Sequence, residues 1–278
     1  MTLLQLDGLL FLGAFAAGLI GALTGLGGGA IIVPLLTLGF GVDIRYAIGA
    51  SLISVIATSS GAAAAYVKEG YTNLRVGMLL EVATTIGALS GAFVAAYVAP
   101  NVIAIIFGVV LLHAAWEGTR RHLDHIVHGA PDHLATVLKL DSTYPTSEGP
   151  EAYRVRHVPL GFGLMYVAGV LSGLLGIGSG VVKVLAMDRA MRLPFKVSTT
   201  TSNFMIGVTA AASAGLYLHR GYIEPGLALP TMLGVLCGAL TGARALPGLK
   251  TRKLRLIFSV VVAAIAFEML YNGFSGKI

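Results

Sequence analysis

Two glycine-rich stretches decide the fold of this chain: GLGGG (Gly25–Gly29) and, 151 residues later, GIGSG (Gly176–Gly180). Each stretch interrupts a long apolar run, and another apolar run follows at once, AIIVPLL after the first and VVKVLAM after the second. Glycine loses the most backbone freedom in a helix and costs about 1 kcal/mol there relative to alanine. We therefore predict that each stretch breaks a helix.

Outside these breaks the chain is a series of apolar segments. It has 278 residues, of which 56% are hydrophobic and 12% are charged, whereas soluble domains carry roughly 25% charged residues. The runs are continuous rather than alternating, which indicates helical spans and excludes a β-barrel. They cover residues 8–39, 44–67, 74–96, 102–118, 159–187, 197–218, 227–246 and 256–271. The composition thus predicts an all-α polytopic membrane protein.

The two halves of the chain are copies of each other. With a shift of 151 residues, 8–118 align on 159–269 without a gap, with 26 identities in 111 pairs. We therefore predict a duplication. The domains are a first transmembrane repeat (1–118), a linker (119–158) and a second transmembrane repeat (159–278).

The loop charges predict how the repeats are oriented. If each broken segment crosses the membrane once, the Lys and Arg residues of the loops divide 9 against 9 between the two sides; if each folds back as a hairpin, they divide 15 against 3. The positive-inside rule favours hairpins. Each hairpin is then followed by three transmembrane helices, and the repeats are inverted. The plasma (inner) membrane would hold the protein with both termini outside and the 119–158 loop in the cytoplasm. Whether the hairpins are re-entrant or cross fully stays open.

The breaks are candidate anion sites. After each break a new half-helix begins, and its first N–H groups have no partner and lie at the positive end of the helix dipole. Such helix starts bind anions. The candidate residues are Gly27, Gly28, Gly29, Gly178, Ser179 and Gly180. The alternative is that the glycines only allow close helix packing.

The sequence resembles a known family. GLGGGAIIVP (Gly25–Pro34), its copy GIGSG, and the serine-bearing GASL (Gly49–Leu52) and TTTSN (Thr199–Asn203) are similar to the sulfite exporter TauE/SafE family. The order of elements matches over nearly the whole chain outside 119–158. The resemblance implies a multi-span permease for sulfur-containing anions such as sulfite or sulfonates, often moved outward.

Two ionisable residues lie within apolar segments. Lys183 follows the second break by three residues, where the first repeat has Ile32. Ionisable residues at membrane depth are functional by default, and a cation there would reinforce anion selectivity; the alternative is a lysine that snorkels to the interface. Glu81 is a candidate for carrying a coupling proton or for pairing with Lys183, and the alternative is a protonated structural glutamate.

Hydroxyl and amide groups complete the predicted site, because they donate hydrogen bonds to oxyanions without a full charge. The candidates are Ser51, Thr199, Thr201, Ser202 and Asn203. The alternative is hydrogen bonding between helices, which Ser and Thr commonly provide in membranes. In the linker, His122, His125 and His128 are spaced as a zinc site could require, but we favour a solvated helix and predict no metal.

These features together predict a secondary transporter that moves a small oxyanion across the lipid bilayer by alternating access. A passive anion channel of the same architecture is the alternative. The sequence contains no HExxH or GxSxG motif, so we predict no enzyme. It also lacks GxxxxGK[ST], and we expect no nucleotide cofactor. The cations of the loops are explained by membrane orientation, and no nucleic-acid partner is expected.

Overall fold

The computed structural model describes residues 3–24, 28–68, 70–119, 132–146, 149–245 and 251–278. The first half contains α1 (Leu3–Thr24), α2 (Gly29–Pro34), α3 (Ile44–Lys68), α4 (Leu74–Ala95) and α5 (Pro100–Thr119). The linker contains α6 (His133–Val137), β1 (Ser142–Thr146) and β2 (Gly149–Tyr153). The second half contains α7 (Val158–Leu175), α8 (Gly180–Leu185), α9 (Phe195–His219), α10 (Pro225–Ala245) and α11 (Thr251–Phe274).

Many of these helices suit a bilayer. Within the described residues, four are long and apolar enough to cross a membrane: Leu74–Ala95, Pro100–Glu117, Val158–Leu175 and Pro225–Gly242. Shorter apolar helices cover Gln5–Ile20, Gly29–Gly39, Ile44–Ser60 and Ser259–Phe274. The chain is thus a mainly helical, multi-pass membrane protein, as its composition predicts.

The first broken segment folds back on itself. α2 continues with helical backbone angles into a π-helical turn, Leu35–Gly39. A Cβ built on Gly28 would lie 3.6 Å from the Cα of Gly18, and one built on Gly13 would lie 3.0 Å from Cδ2 of Leu35. Residues ten apart in a straight helix would be about 15 Å apart. The chain after the break therefore runs antiparallel to α1.

The second broken segment returns in the same way. α8 continues into a π-helical turn, Ala186–Ala190. The backbone N–H of Arg156, which precedes α7, donates to the carbonyl of Met191 at 3.0 Å. Arg189 also forms an ion pair with Glu117, near the end of α5. The end of the second hairpin thus lies beside the start of α7 and the end of α5.

Local backbone features repeat between the halves at the 151-residue spacing. The two π-helical turns occupy equivalent positions. After the first turn the N–H of Val42 donates to the carbonyl of Leu36 at 3.1 Å, and after the second the N–H of Leu193 donates to Met187 at 3.0 Å. Because Leu185 replaces Pro34 before the second turn, the proline is not needed for the π geometry.

Helix packing repeats as well, with the halves exchanged. α1 packs on α10, and α7 packs on α4. A Cβ at Gly18 would clash with the carbonyl oxygen of Val235, and one at Gly169 would clash with the carbonyl oxygen of Thr84. Both pairs are related by 151 residues. Glycine is needed at these contacts because the backbones of the two helices touch.

The directions of the last helices of each half are opposite. α5 and α11 pack together, and a Cβ on Gly108 would lie 2.7 Å from Cγ of Leu270. At the other end of the contact, a Cβ on Gly273 would lie 2.8 Å from Cγ1 of Ile105. Along this contact the residue numbers of α5 increase while those of α11 decrease, so the two helices are antiparallel.

The linker has a packed part that the sequence reading did not anticipate. β1 and β2 form an antiparallel hairpin, and Leu140 and Val155 are buried in a cluster with residues of α4. The side chain of Asn73, at the start of α4, donates to the carbonyl of Leu140 at 2.9 Å and to the hydroxyl of Tyr153 at 2.8 Å. These contacts attach the linker to α4.

Candidate functional site

The two glycine tips contact each other. In the second tip, Gly178 has φ of +68° and Ser179 has φ of +49°, in the left-handed region that favours glycine. A Cβ on Gly29 would lie 3.3 Å from the carbonyl oxygen of Gly176. The sequence places the two breaks far apart along the chain, and the structure brings them into contact.

Two equivalent serines hold the tips in place. The Ser51 hydroxyl of α3 is near the carbonyl of Gly29 at 3.3 Å and donates to that of Gly176 at 2.8 Å. The Ser202 hydroxyl of α9 lies 3.3 Å from the carbonyl of Gly180. Both serines are buried. Their geometry in this conformation matches the interhelical bonding that was the alternative to ligand binding.

A small, mainly apolar cavity lies against both tips. Its lining includes Ala30 from the first tip, Ile177 and Ser179 from the second, and His113 from α5. Ser179 is only 2% exposed, and its hydroxyl has no hydrogen-bond partner among the described residues. A buried polar group without a partner is costly, which makes this hydroxyl a candidate ligand for a bound molecule. His113 is not among the site residues that the sequence predicts.

Lys183 and Glu81 are joined through a threonine. The Lys183 ammonium donates to the Thr209 hydroxyl at 2.6 Å, and this hydroxyl lies 2.7 Å from Oε1 of Glu81. The Thr85 hydroxyl donates to the same carboxylate oxygen at 3.1 Å. Lys183 is fully buried. Its side chain reaches Thr209 of α9, beside Glu81 of α4, and does not snorkel to the membrane interface. Thr209, which bridges the two charged side chains, is not among the site residues that the sequence predicts.

None of the predicted hydroxyl and amide ligands outside the tips is among the residues that line the cavity. Thr199 donates to the carbonyl of Phe195 in its own helix at 2.9 Å. Thr201 accepts from the backbone N–H of Asn73 at 3.1 Å, beside the linker contact. Asn203 is half-buried one residue beyond Ser202. The structure therefore brings Ser202, but not its polar neighbours, to the tips.

Some predicted features lie outside the described residues. Gly27 is one of them, and so are His122, His125 and His128. Among the residues that the structure does describe, no group of three or more His, Cys, Asp or Glu side chains could hold a metal ion.

Comparisons with known proteins define the class and then the family. The chain is 27% identical over 264 residues to "Probable membrane transporter protein YunE" of Bacillus subtilis (strain 168), covering 92% of this chain and 94% of that protein. A similarly named protein of Methanocaldococcus jannaschii is 24% identical and covers 94% of each chain. No solved structure matches. These relatives are named as membrane transporters, and no catalytic activity is indicated.

The family described as Sulfite exporter TauE/SafE matches residues 10–269. This match covers nearly the whole chain, and the protein belongs to that family. The resemblance carried by the glycine and serine stretches is thereby confirmed. The family is one of multi-pass membrane transporters, which implies a small-molecule substrate and a lipid environment.

Proposed function

We propose that this protein is a secondary transporter that moves a small sulfur-containing anion, of the sulfite or sulfonate kind, by alternating access. The observation that carries the proposal is the contact of the two glycine tips beside a cavity lined in part by Ser179, whose buried hydroxyl has no partner among the described residues. Transporters with inverted repeats place their substrates at broken helices near the membrane midplane. The family name supports an anion that contains sulfur.

The proposed ligands are hydrogen-bond donors at the two tips. Free N–H groups at the start of a helix and the positive end of its dipole favour an anion. We assign contacts with the anion to the backbone of Gly27, Gly28, Gly29, Gly178 and Gly180 and to the hydroxyl of Ser179. Ser51 and Ser202 would fix the positions of the tips, since each lies next to a tip carbonyl.

Three features support inverted repeats with the linker in the cytoplasm. The loop cations divide 15 against 3 when both broken segments fold back. The antiparallel packing of α5 and α11 requires an even number of crossings between the end of α5 and the start of α11, which a folded-back hairpin followed by α9 and α10 supplies. The ion pair of Arg189 with Glu117 requires the end of the second hairpin and the end of α5 to share one side. We propose residues 1–118 and 159–278 as the repeats, 119–158 as a cytoplasmic linker, and both termini outside.

We infer alternating access from the same geometry. The tips are in contact and the cavity between them and α5 is small, so an anion could enter only if the tips move apart. If the hairpins approach the site from opposite sides, movement of one tip opens the site to one side of the membrane while the other tip keeps it closed.

Anion binding by the purified protein tests this proposal. Sulfite, thiosulfate and methanesulfonate would be titrated calorimetrically, with acetate and chloride as controls. We expect saturable binding of at least one sulfur anion and much weaker binding of acetate and chloride. Absence of binding by all three sulfur anions, or equal binding of acetate, would contradict the proposal.

A further inference from the structure

The pair formed by Lys183 and Glu81 is separate from the tip cavity. Neither residue lines that cavity. Lys183 is fully buried and Glu81 is 8% exposed, with the Thr209 hydroxyl between them. The three side chains belong to α8, α4 and α9. They therefore connect the second hairpin to two helices of the surrounding bundle.

The charges of Lys183 and Glu81 act on each other. α7, which packs on α4, contributes Tyr166, whose hydroxyl faces a serine more than two turns further along α4. The ionisable residues of α9, Lys196, Tyr217 and His219, lie near its ends.

The hydrogen bonding of this pair is incomplete in the described conformation. An ammonium has three donors, and Thr209 is the partner that the described residues provide for Lys183. Oε2 of Glu81 is buried without a partner among those residues. Ser179, which lines the cavity, caps the start of α8, and its carbonyl accepts the backbone N–H of Lys183 at 3.0 Å. Lys183 therefore lies one helical turn from the cavity, and its ammonium would need a change of rotamer to reach it.

Charge balance restricts what a change of the Lys183 rotamer can do. An unpaired charge in a buried site is costly, and the pair is neutral as it stands. If a singly charged anion took Lys183 as its partner, an ionised Glu81 would be left without one. A proton bound to the Glu81 carboxylate restores neutrality, with Lys183 protonated throughout.

We propose that the transported anion and the Glu81 carboxylate are alternative partners of Lys183, so that one proton binds to Glu81 for each anion that binds. When the anion contacts the ammonium, Glu81 accepts a proton from the side to which the site is open. When the anion leaves, Glu81 releases that proton and pairs again with Lys183. Proton and anion thus move in the same direction. This inference rests on the proposed anion transport.

The site occurs once per chain. The 151-residue shift relates Thr209 to Thr58, Lys183 to Ile32 and Glu81 to Met232. Ile32 and Met232 are apolar, so the symmetric location holds no ionisable pair. We therefore expect a stoichiometry of one proton per anion rather than two.

Proton uptake on anion binding tests the inference. Saturating methanesulfonate, which carries one negative charge and does not titrate near neutral pH, would be added to the detergent-purified protein in weak buffer with a pH-sensitive dye, with protein-free corrections. We expect uptake of about one proton per bound anion by the wild type and by Glu268→Gln, which changes an exposed glutamate of α11. Binding without proton uptake would overturn the coupling alone, whereas absence of all binding would contradict the proposed function as well.

Two variants separate coupling from folding. We expect Glu81→Gln to bind the anion without proton uptake and to gain more thermal stability from it than the wild type, because Lys183 is unpaired until the anion arrives. Glu81→Gln/Lys183→Met removes both charges, and we expect it to fold but to lose at least tenfold in affinity. Proton uptake by Glu81→Gln, or unchanged affinity of the folded double variant, would overturn the inference.

Discussion

Replacing Ser179 with alanine separates anion binding from protein stability. The Ser179 hydroxyl is buried and has no partner among the described residues, so its loss removes no hydrogen bond to any of them. Serine and alanine are equally strained at its φ of +49°. Removal of an unsatisfied buried polar group is neutral or stabilising, since such a group costs about 1–3 kcal/mol. We therefore expect the Tm of Ser179→Ala without anion to be unchanged or raised.

The same substitution should weaken binding if the hydroxyl donates to the anion. A hydrogen bond to a charged group contributes about 1.5–3 kcal/mol, which corresponds to an increase in Kd of roughly 10- to 150-fold. Calorimetric titration with the sulfur anion that binds the wild type measures this change. Ser90→Ala is the matched control, because Ser90 lies outside the cavity lining and donates within its own helix to Ile86 at 2.8 Å. A lower Tm with an unchanged Kd for Ser179→Ala would refute the reasoning.

Two further predictions concern packing and orientation. Gly87→Ala should lower the Tm, because the added Cβ would clash with a backbone carbonyl of α7 and overpacking costs about 1–3 kcal/mol. Gly163→Ala is the control: a Cβ there would meet open space, so the Tm should change little. Equal effects of the two substitutions would contradict the packing argument. In a Cys237→Ser background, a membrane-impermeant maleimide should label Ser275→Cys on intact cells and Ser142→Cys only after permeabilisation; the opposite pattern would contradict the proposed orientation.

Much of the helical architecture could be predicted because it depends on local rules. Continuous apolar runs predict spans, and glycine clusters predict breaks, so the ends of α3 and α9 are close to those of the apolar segments. The β-hairpin of the linker was missed because its strands, Ser142–Thr146 and Gly149–Tyr153, are short and lie in a polar segment. What stabilises them includes the contact of Tyr153 with Asn73, which depends on tertiary packing.

The candidate site could be predicted only in part for the same reason. The glycine motifs and their 151-residue spacing indicate two related tips, but not that Gly29 and Gly176 touch. Lys183 and Glu81 are conspicuous as charges in apolar segments, whereas Thr209 resembles many other intramembrane hydroxyls. Its role depends on α4, α8 and α9 meeting at one point. The same holds for His113, which reaches the cavity wall only because α5 packs beside the tips.

Counterflow in proteoliposomes is the most direct test of the central claim, that the tip cavity belongs to a carrier for a sulfur-containing anion. Vesicles loaded with unlabelled anion would be diluted into a trace of the same anion labelled with ³⁵S. We predict transient, saturable accumulation of label by the wild type, and accumulation by Ser179→Ala only at higher anion concentration. Label that equilibrates without overshoot, at a rate unaffected by internal anion, would contradict the account and favour a channel.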